Sequence, residues 1–588
     1  MDAMSSLTTR ARSARVARLS SFPLAWPALA ALLVAVGLFL FHETRGTTFW
    51  FDEWTWVLHR RGNDPGTFLA PHNGHLSLVP ILVYRVLFAA FGLEHYGAYR
   101  AVVIIAHLTC VTLVFVYARR RVGDLLGLLA ASLLLFLGPA YQNVLWPFQV
   151  GWLISLAAGI AALLMLDRAD RKGDVAACGL LVVSVASSGL GLPIAAGMLV
   201  EVLRRPRGWR TAWIVGVPLA LYVPWWLHYQ DSSWIRVAHA FGVEHPLLTG
   251  ILDSPGFAAN AAASALSALL GLSGHSGADL RGAGTFISWG APLAIAAVAI
   301  LVWVARGARG LSPRVIALLT MMGTFWVLTG VTRVVFSDPF TSRYLYVGGL
   351  LIVLASVELA RGVRVGRGAS VALIALVAFA VLSNVGDFRD GGRYLRSQAS
   401  DTRALATAFE IARPVVSPSF VAEGFAPIVA GEYFAATREL GSPADSPTAL
   451  AREPESARLK ADAELAAMHG LALRPSSRPR TGSPPRVDAV AGVAARPRNG
   501  CLAIVPAGVT SGPNGGRLAL TVPASGLAVV AVDAPVTVSV RRFADGFHPL
   551  ASLAPGASAT LKIRPDLAAA PWHMRVVSTG RATVCGLV

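Results

Sequence analysis

The chain has 588 residues, 54% hydrophobic and 14% charged, with a mean hydropathy of +0.57 and a formal net charge of +18. A soluble domain carries about 25% charge, so the composition excludes an ordinary soluble enzyme and predicts a polytopic α-helical membrane protein. The positive charge does not indicate nucleic acid, because the arginines fall in short clusters between apolar runs and form no basic face.

Arg10, Arg12, Arg15 and Arg18 precede an apolar run from about Phe22 to Phe41. That run approaches the ~20 residues of a spanning helix and exceeds the roughly 7–15 of a signal-peptide core. No small-residue cleavage site precedes the next loop, so the run is expected to be an uncleaved first helix with residues 1–21 in the cytoplasm.

The helix leads into Phe49-Trp50-Phe51-Asp52-Glu53-Trp54-Thr55-Trp56. Tryptophan suits a membrane interface, where its ring is buried and its N–H stays wet. Two adjacent acids are unexpected in that setting. A carboxylate at the edge of a low-dielectric slab is driven toward its neutral form unless a cation compensates, and such a group suits a general base. Asp52 and Glu53 are therefore catalytic candidates; the alternative is that they open a loop helix, since acids favour helix N-termini. The same loop, 42–95, carries His42, Glu43, Arg45, His59, Asp64 and Pro71-His72-Asn73-Gly74-His75. His72 and His75 alone are a weak metal signal, with no flanking acid that completes a zinc motif. Hydrogen bonding to a polar substrate is the favoured role for both, with a wet interface lining as the alternative.

Cytoplasmic loops collect Lys and Arg. The clusters are Arg119-Arg120-Arg121; Arg168, Arg171 and Lys172; Arg204, Arg205, Arg207 and Arg210; Arg306, Arg309 and Arg314; and Arg361, Arg364 and Arg367. Parity leaves one crossing between the first loop and Arg119. Tyr96–Tyr117 is assigned to it, and Leu76–Phe91, short and holding Arg85, is expected to lie along the interface as an amphipathic helix. Runs near 123–138, 149–166, 174–188, 190–203, 209–228, 286–305, 314–331, 344–360 and 368–384 bring the total to about eleven spans of the length a bilayer requires. The Ala-rich stretch 256–272 is expected not to cross. Everything after about Gly386 then lies outside the cytoplasm.

In the loop from Thr332 to Tyr344, Arg343 opens the next helix on the outer side, against the inside bias. A guanidinium there offers a planar fork for phosphate oxygens; the alternative is snorkelling to lipid headgroups. Tyr141, Gln142, Asn143 and Trp146 either line the same outer cavity or simply form a loop.

Residues 386–473 carry helical patterns, as in Thr402–Ala412 and Ala449–Leu471. The stretch 474–498 is rich in Pro, Arg and Gly and reads as a linker. From 499 to 588 the pattern is alternating and turn-punctuated, as in Arg517–Val522 and Val536–Val540, and predicts a small β-sandwich. Cys501 and Cys585 bracket it, and a disulfide tying its first strand to its last suits an oxidising location. No cysteine spacing suggests structural zinc.

Taken in order, these features resemble the GT-C superfamily of polyprenyl-phosphate-dependent glycosyltransferases, especially its protein mannosyltransferase, aminoarabinose transferase and lipopolysaccharide galacturonosyltransferase branch. The resemblance rests on the basic start, the first helix, the Asp52-Glu53 loop and the Pro/His segment. It continues through Phe91-Gly92-Leu93, Tyr99-Arg100-Ala101, Tyr117-Ala118-Arg119-Arg120 and Arg343-Tyr344-Leu345, within residues 22–385. It implies a membrane enzyme that moves a sugar, with inversion, from a polyprenyl-phosphate donor to a glycan, lipid or protein acceptor on the outer face. By position Asp52 would be the base and Glu53 its support, while Arg343, with Tyr344, would steady the departing phosphate. The resemblance implies no metal, and a divalent ion stays open. Where many relatives have a Pro-Pro pair this chain has Pro71-His72-Asn73-Gly74-His75, which leaves the acceptor pocket undefined.

The rival readings are a polysaccharide polymerase or ligase and a lipid-linked sugar transporter. A transporter should place ionisable groups near helix midpoints, where this chain has chiefly His107 and Glu201. A bare membrane anchor for the β domain would leave Asp52, Glu53 and Arg343 without a reason.

Overall fold

A computed structural model describes residues 24–206, 208–229, 233–273, 283–307, 310–363, 365–422, 427–476, 482–507 and 515–588. The basic N-terminus, Arg207, Arg309 and Arg364 lie outside the described residues. The chain divides into two compact units. Met1–Arg45, His59–Phe91 and His95–Arg396 form the first; Gly46–Leu58, Gly92–Glu94 and Ser397–Val588 form the second.

The helices begin with α1 (Ala25–Glu43), α2 (Asp52–His59), α3 (Pro65–Leu69), α4 (Leu78–Phe91) and α5 (Gly97–Val122). Next come α6 (Asp124–Leu135), α7 (Tyr141–Leu145), α8 (Val150–Leu166), α9 (Arg171–Ser187), α10 (Gly191–Leu203) and α11 (Trp213–Tyr229). After them lie α12 (Ser233–Ala240), α13 (Pro246–Leu269), α14 (Ala283–Arg306), α15 (Pro313–Arg333), α16 (Ser342–Leu359) and α17 (Arg367–Ala412). The second unit adds α18 (Ala430–Leu440), α19 (Pro447–Leu450) and α20 (Glu455–His469).

Long apolar runs must be helical in hydrocarbon, where every backbone N–H and C=O needs an internal partner. Among the described residues seven helices are long and apolar enough to span: α1, α5, Pro147–Leu166, Ser288–Arg306, α15, α16 and α17. An eighth forms if α6 and Gly138–Leu145, bent by 48°, count as one. The protein is a multi-pass helical membrane protein. The other three expected crossings are helical but shorter, at 17, 13 and 17 residues. α9 opens on Arg171 and Lys172, α10 has 13 residues with Pro193 near its start, and α11 contains Pro218 and Pro224.

α4 buries Pro80, Ile81, Tyr84, Leu87 and Phe88, yet also exposes Leu82, Val86 and Phe91. An apolar exposed face is what an interfacial helix presents to lipid. Its Arg85 reaches back to the Arg61 carbonyl and to Asn63 Oδ1 at 2.8 Å, so the charge has polar partners. α13, the Ala-rich segment, packs closely on α14. A Cβ at Gly290 would sit 1.9 Å from the Ala263 carbonyl oxygen, an approach that only glycine permits.

The arginine clusters do more than mark topology. Arg314, at the start of α15, donates through Nη2 to Glu201 Oε1 at 2.7 Å and Asp167 Oδ1 at 2.9 Å. Arg121, ending α5, pairs with Asp167 at 3.0 Å and with Glu358 of α16. The Tyr117 hydroxyl also donates to Glu358, at 3.1 Å. One network, buried except at Asp167, thus joins α5, α10, α15, α16 and the residue that follows α8.

In the second unit the tryptophans of the first loop are core residues, which corrects the interfacial expectation. Trp54 contacts Phe49 at 6.2 Å and Tyr433 of α18 at 5.9 Å, and Tyr433 stacks on Phe409 at 4.8 Å between ring centroids. Gly92 and Leu93 belong here too. Leu93 N–H donates to the Leu440 carbonyl at 2.8 Å. Gly92 has φ 57°, and a Cβ on it would lie 2.4 Å from that same oxygen.

The strands are β1 (Val421–Ala422), β2 (Ile428–Val429), β3 (Arg474–Pro475), β4 (Val487–Ala491), β5 (Val493–Arg498), β6 (Cys501–Pro506) and β7 (Gly516–Thr521). They continue with β8 (Leu527–Ala531), β9 (Val536–Arg541), β10 (His548–Leu553), β11 (Ser558–Leu561), β12 (His573–Ser578) and β13 (Ala582–Gly586). Beyond the β1–β2 pair they form two antiparallel sheets, ordered β10-β9-β12-β7-β4 and β3-β11-β8-β13-β6-β5. β4 and β5 lie within 474–498, the expected linker, so the sheet region starts earlier than predicted. Both are edge strands, where proline and arginine are tolerated because one side of the ladder needs no partner. Cys501 and Cys585 are joined across paired strands β6 and β13, with Cα atoms 4.2 Å apart. The bond therefore ties the last strand to its neighbour in the sheet, not to the first strand of the domain.

α20 is fixed to the end of β9 by Asp462. Its buried carboxylate accepts the N–H groups of Arg542 at 2.7 Å, Phe543 at 3.0 Å and Ala544 at 3.0 Å. Nearby, Asp566 accepts from Arg542 Nη2 at 2.9 Å and lies 2.8 Å from His469 Nε2. Burial alone would raise its pKa, but these hydrogen bonds hold the carboxyl well below the usual carboxylate range.

Candidate functional site

The structure divides the candidate residues between the units. Asp52, Glu53, Cys501 and Cys585 fall in the second; His72, His75, Arg343 and Tyr344 fall in the first.

Asp52 opens α2 immediately after Phe51, whose φ of 51° is left-handed. A bulky residue held there is strained, and such strain concentrates at functional sites. The two acids are not equivalent. Glu53 is fully buried, and its Oε2 accepts the Trp50 N–H at 3.1 Å, a back-bond of the kind that closes a helix start. Asp52 is half-buried. The loop-opening alternative thus describes Glu53, while Asp52 is the less enclosed carboxylate. Arg403 steadies the approach to this loop. It donates to the Gly46 carbonyl and pairs with Glu453 at 2.9 Å and Asp445 at 3.1 Å.

In the first unit the Pro71–His75 segment is a tight hairpin. His72 and His75 exchange backbone N–H···O bonds of 3.0 Å, with Asn73 and Gly74 at φ 51° and 81°. Two left-handed residues in an Asn-Gly pair define a type I′ turn. The His72 ring meets Phe148 edge-on at 5.3 Å, and Phe148 stacks on Trp146 at 5.0 Å. His75 packs on Gly189, where a Cβ would lie 2.5 Å from its Nδ1. Arg333 Nη2 donates to the Asn73 carbonyl at 3.1 Å. The hairpin therefore meets the stretches around 148, 189 and 333.

The residue that sequence reasoning missed is Arg60. It is buried, and its guanidinium donates to the carbonyls of Gly66 at 2.9 Å, Thr67 at 3.1 Å, Ala70 at 2.9 Å and Pro71 at 3.1 Å. It satisfies the carbonyl end of α3 and fixes the entry to the hairpin. A signal existed, since Asp64-Pro65 is a cap and first-turn pair that announces a helix whose carbonyl end needs a donor.

Arg343 sits in the first turn of α16, one residue past Ser342, whose Oγ accepts the Gln142 N–H at 3.1 Å. Its guanidinium carbon lies 5.7 Å from the Tyr344 ring centre. Arg343 is half-buried and has no hydrogen-bond or ion-pair partner among the described residues. Tyr344 has a different role. Its ring lies 6.1 to 6.3 Å from Phe257, Trp152 and Phe325, and its hydroxyl donates to Ser337 Oγ at 3.2 Å. It is a buried wall beneath the arginine.

Next to Gln142, Asn143 is fully buried, and neither its amide nitrogen nor its oxygen has a hydrogen-bond partner among the described residues. An orphaned buried amide costs about 1–3 kcal/mol unless a polar guest satisfies it. The mid-span groups are otherwise engaged. His107 lies 2.9 Å from the Tyr346 hydroxyl and 3.3 Å from the Leu135 carbonyl, while Glu201 is held by Arg314.

No family model matches the chain, and no curated protein sequence matches it either. Among solved structures it is similar to ArnT from Cupriavidus metallidurans bound to undecaprenyl phosphate, at 16% identity over 72% of this chain and 86% of that one, TM-score 0.42. The apo form of that ArnT gives 13% identity over 77% and 97%, also with TM-score 0.42. The archaeal oligosaccharyltransferase AglB from Archaeoglobus fulgidus, in complex with an inhibitory peptide and a dolichol-phosphate, gives 15% identity over 65% and 58%, with TM-score 0.37.

Proposed function

We propose that this chain transfers a sugar, with inversion, from a polyprenyl-phosphate carrier to an acceptor hydroxyl on the outer face of the membrane. The observation that carries the reading is Arg343: a half-buried guanidinium in the first turn of a spanning helix, with no carboxylate partner among the described residues. A helix N-terminus and an arginine fork both favour a phosphate. In the proposed reaction Asp52 accepts the proton of the acceptor hydroxyl, and that oxygen attacks the anomeric carbon. The bond from that carbon to the carrier's phosphate oxygen breaks, and the electron pair leaves with the phosphate, whose charge Arg343 offsets. His72 and His75 are assigned to the acceptor, and Glu53 to holding the loop that carries Asp52. The sequence order of these residues, which resembles the GT-C pattern, supports the same assignment. The engagement of His107 and Glu201 disfavours the transporter reading, which needs ionisable groups free to take part in an ion pathway.

The test uses the purified chain and a labelled sugar on a polyprenyl-phosphate carrier, with lipid, glycan and peptide acceptors offered separately. Asp52→Asn keeps size and hydrogen bonding but removes the proton acceptor. It should lower transfer by about 100- to 10,000-fold, with donor affinity and thermal stability unchanged. Full activity in Asp52→Asn would sink the assignment of the base.

A further inference from the structure

The second unit carries an unneutralised line of arginines that the proposed reaction does not use. In an antiparallel sheet, directly paired residues share a face. His573 pairs with Thr521 and Arg541, Arg575 with Ala519 and Ser539, and Val577 with Arg517 and Thr537. All of these occupy one face of the five-stranded sheet. The alternate positions, Met574 and Val576 with Leu518, Leu520, Val538 and Val540, are buried on the other face. Arg517 on β7, Arg575 on β12 and Arg541 on β9 therefore form a diagonal across three neighbouring strands. Strands ~4.8 Å apart and a two-residue advance of ~6.7 Å give a step of about 8 Å between successive arginines.

The charges are close enough to act on one another. Burial, and then the neighbouring guanidiniums of Arg517 and Arg541, lower the pKa of Arg575. Arg541 and Arg575 both lie over the Phe547 ring, at 4.7 and 4.6 Å. None of the three has an ion-pair partner among the described residues, and the Nε atoms of Arg541 and Arg575 are buried without a hydrogen-bond partner there. Arg541 spends one Nη on the Asp545 carbonyl oxygen, at 2.7 Å. The acid on this face is Asp488, and it is committed elsewhere: it accepts from Thr521 Oγ1 at 2.8 Å and lies 2.7 Å from His573 Nδ1. The fold thus supports three like charges side by side without neutralising them, an arrangement that an anion with repeated charges would complete.

We propose that the diagonal Arg517–Arg575–Arg541 is a binding site for a linear acidic polysaccharide. Beside the diagonal on the same face, exposed Thr537 and half-buried His573 and Thr521 offer polar groups that suit sugar hydroxyls. A lipid surface would call for large exposed apolar side chains among the charges, whereas the apolar residues here, Ala519 and Val577, are small or half-buried. A single-stranded nucleic acid would call for open aromatic faces, whereas Phe547 is covered by guanidiniums. The site does not rest on the transfer reaction, because its test is binding alone.

The experiment measures binding of oligogalacturonate to the full-length chain in detergent. The methyl-esterified oligomer, which lacks the charge, and anionic phospholipid vesicles are run beside it. Oligogalacturonate should bind and its ester should not. Binding should weaken sharply as salt shortens the screening length from about 10 Å at 0.1 M to about 3 Å at 1 M. The triple variant R517Q/R541Q/R575Q should lose about tenfold or more, since hydrogen bonds to charged groups each contribute about 1.5–3 kcal/mol and 1.4 kcal/mol is a factor of ten. Arg517 is exposed, so Arg517→Gln keeps the fold and should alone weaken binding about threefold. Persistence of the Cys501–Cys585 bond and an unchanged melting curve show that the variants fold. If the triple variant does not fold, Arg517→Gln decides. Equal binding of the ester, full binding by Arg517→Gln in a folded chain, or binding to vesicles but not to oligogalacturonate overturns the proposal.

Discussion

Arginines stand at both ends of the hairpin made by α15 and α16, and the fold treats the two ends oppositely. At the Arg314–Glu358 end each guanidinium is answered: Arg314 by Glu201 and Asp167, Arg121 by Asp167 and Glu358. At the Arg343 end the guanidinium is half-buried, with no such partner among the described residues. A buried charge without a partner costs several kcal/mol, so an unanswered arginine has to be solvated or occupied. The difference separates a charge that holds helices together from one that, in the proposed reaction, meets the donor's phosphate. Composition cannot make that separation, because both arginines lie beside apolar runs in a sequence where arginine is common.

The comparison predicts opposite phenotypes, and the larger belongs to the paired end. Arg314→Leu leaves Glu201 without its main partner and should destabilise the chain by about 3–5 kcal/mol, the usual cost of breaking a buried pair from one side. Thermal denaturation in detergent measures it, and the fraction that remains folded should transfer sugar at the parent's rate. A variant as stable as the parent would make the network dispensable and remove the contrast between the ends.

What could be read in advance follows the same division. The helical runs and the pairing of Cys501 with Cys585 were legible because periodicity and compartment chemistry are readable from short stretches. The networks were not. Asp64-Pro65 announces a helix whose carbonyl end needs a donor but does not identify Arg60 as that donor to residues 66, 67, 70 and 71, and nothing in Trp54 reveals that it will pack on Tyr433, far along the chain. Pro497 and its flanking arginines have the composition of a linker, yet β5 holds them as an edge strand, where one side of the ladder needs no partner. In the site, the sequence presented Asp52 and Glu53 as a pair. Only the burial of Glu53 and its bond to Trp50 N–H distinguish the brace from the half-buried acid.

The second prediction sharpens the contrast from the other end. Arg343→Lys keeps the charge but loses the planar fork. One lost hydrogen bond to a charged phosphate is worth about 1.5–3 kcal/mol, so transfer should fall about tenfold or more and donor affinity with it. Stability should change little, because the guanidinium has no hydrogen-bond or ion-pair partner to lose among the described residues and a lysine ammonium can keep the contact with the Tyr344 ring. A variant that melts early but transfers normally once folded would move Arg343 to the structural class and leave the phosphate without its ligand.

The smallest effect is expected at Arg333, and it decides whether Arg343 is special or only near a membrane surface. Arg333 ends α15, donates a hydrogen bond of 3.1 Å to the Asn73 carbonyl and lies 5.5 Å from the Phe336 ring centre. A lysine ammonium keeps the charge and can reach that carbonyl, and exposed interactions of this kind contribute about 0.2–1 kcal/mol. Arg333→Lys should therefore change transfer by no more than about fivefold, as that energy range allows. Any change should appear in acceptor use, since the bond steadies the hairpin of His72 and His75. The assay is the same labelled-sugar transfer, run on both variants with acceptor and donor titrated separately. A phosphate fork confined to Arg343 predicts a donor defect in one variant and not in the other. Snorkelling to headgroups treats both arginines as general cations and predicts the same mild loss in each, with no separation between donor and acceptor. Equal mild losses would therefore withdraw Arg343 from the reaction while leaving the paired end of the bundle as described.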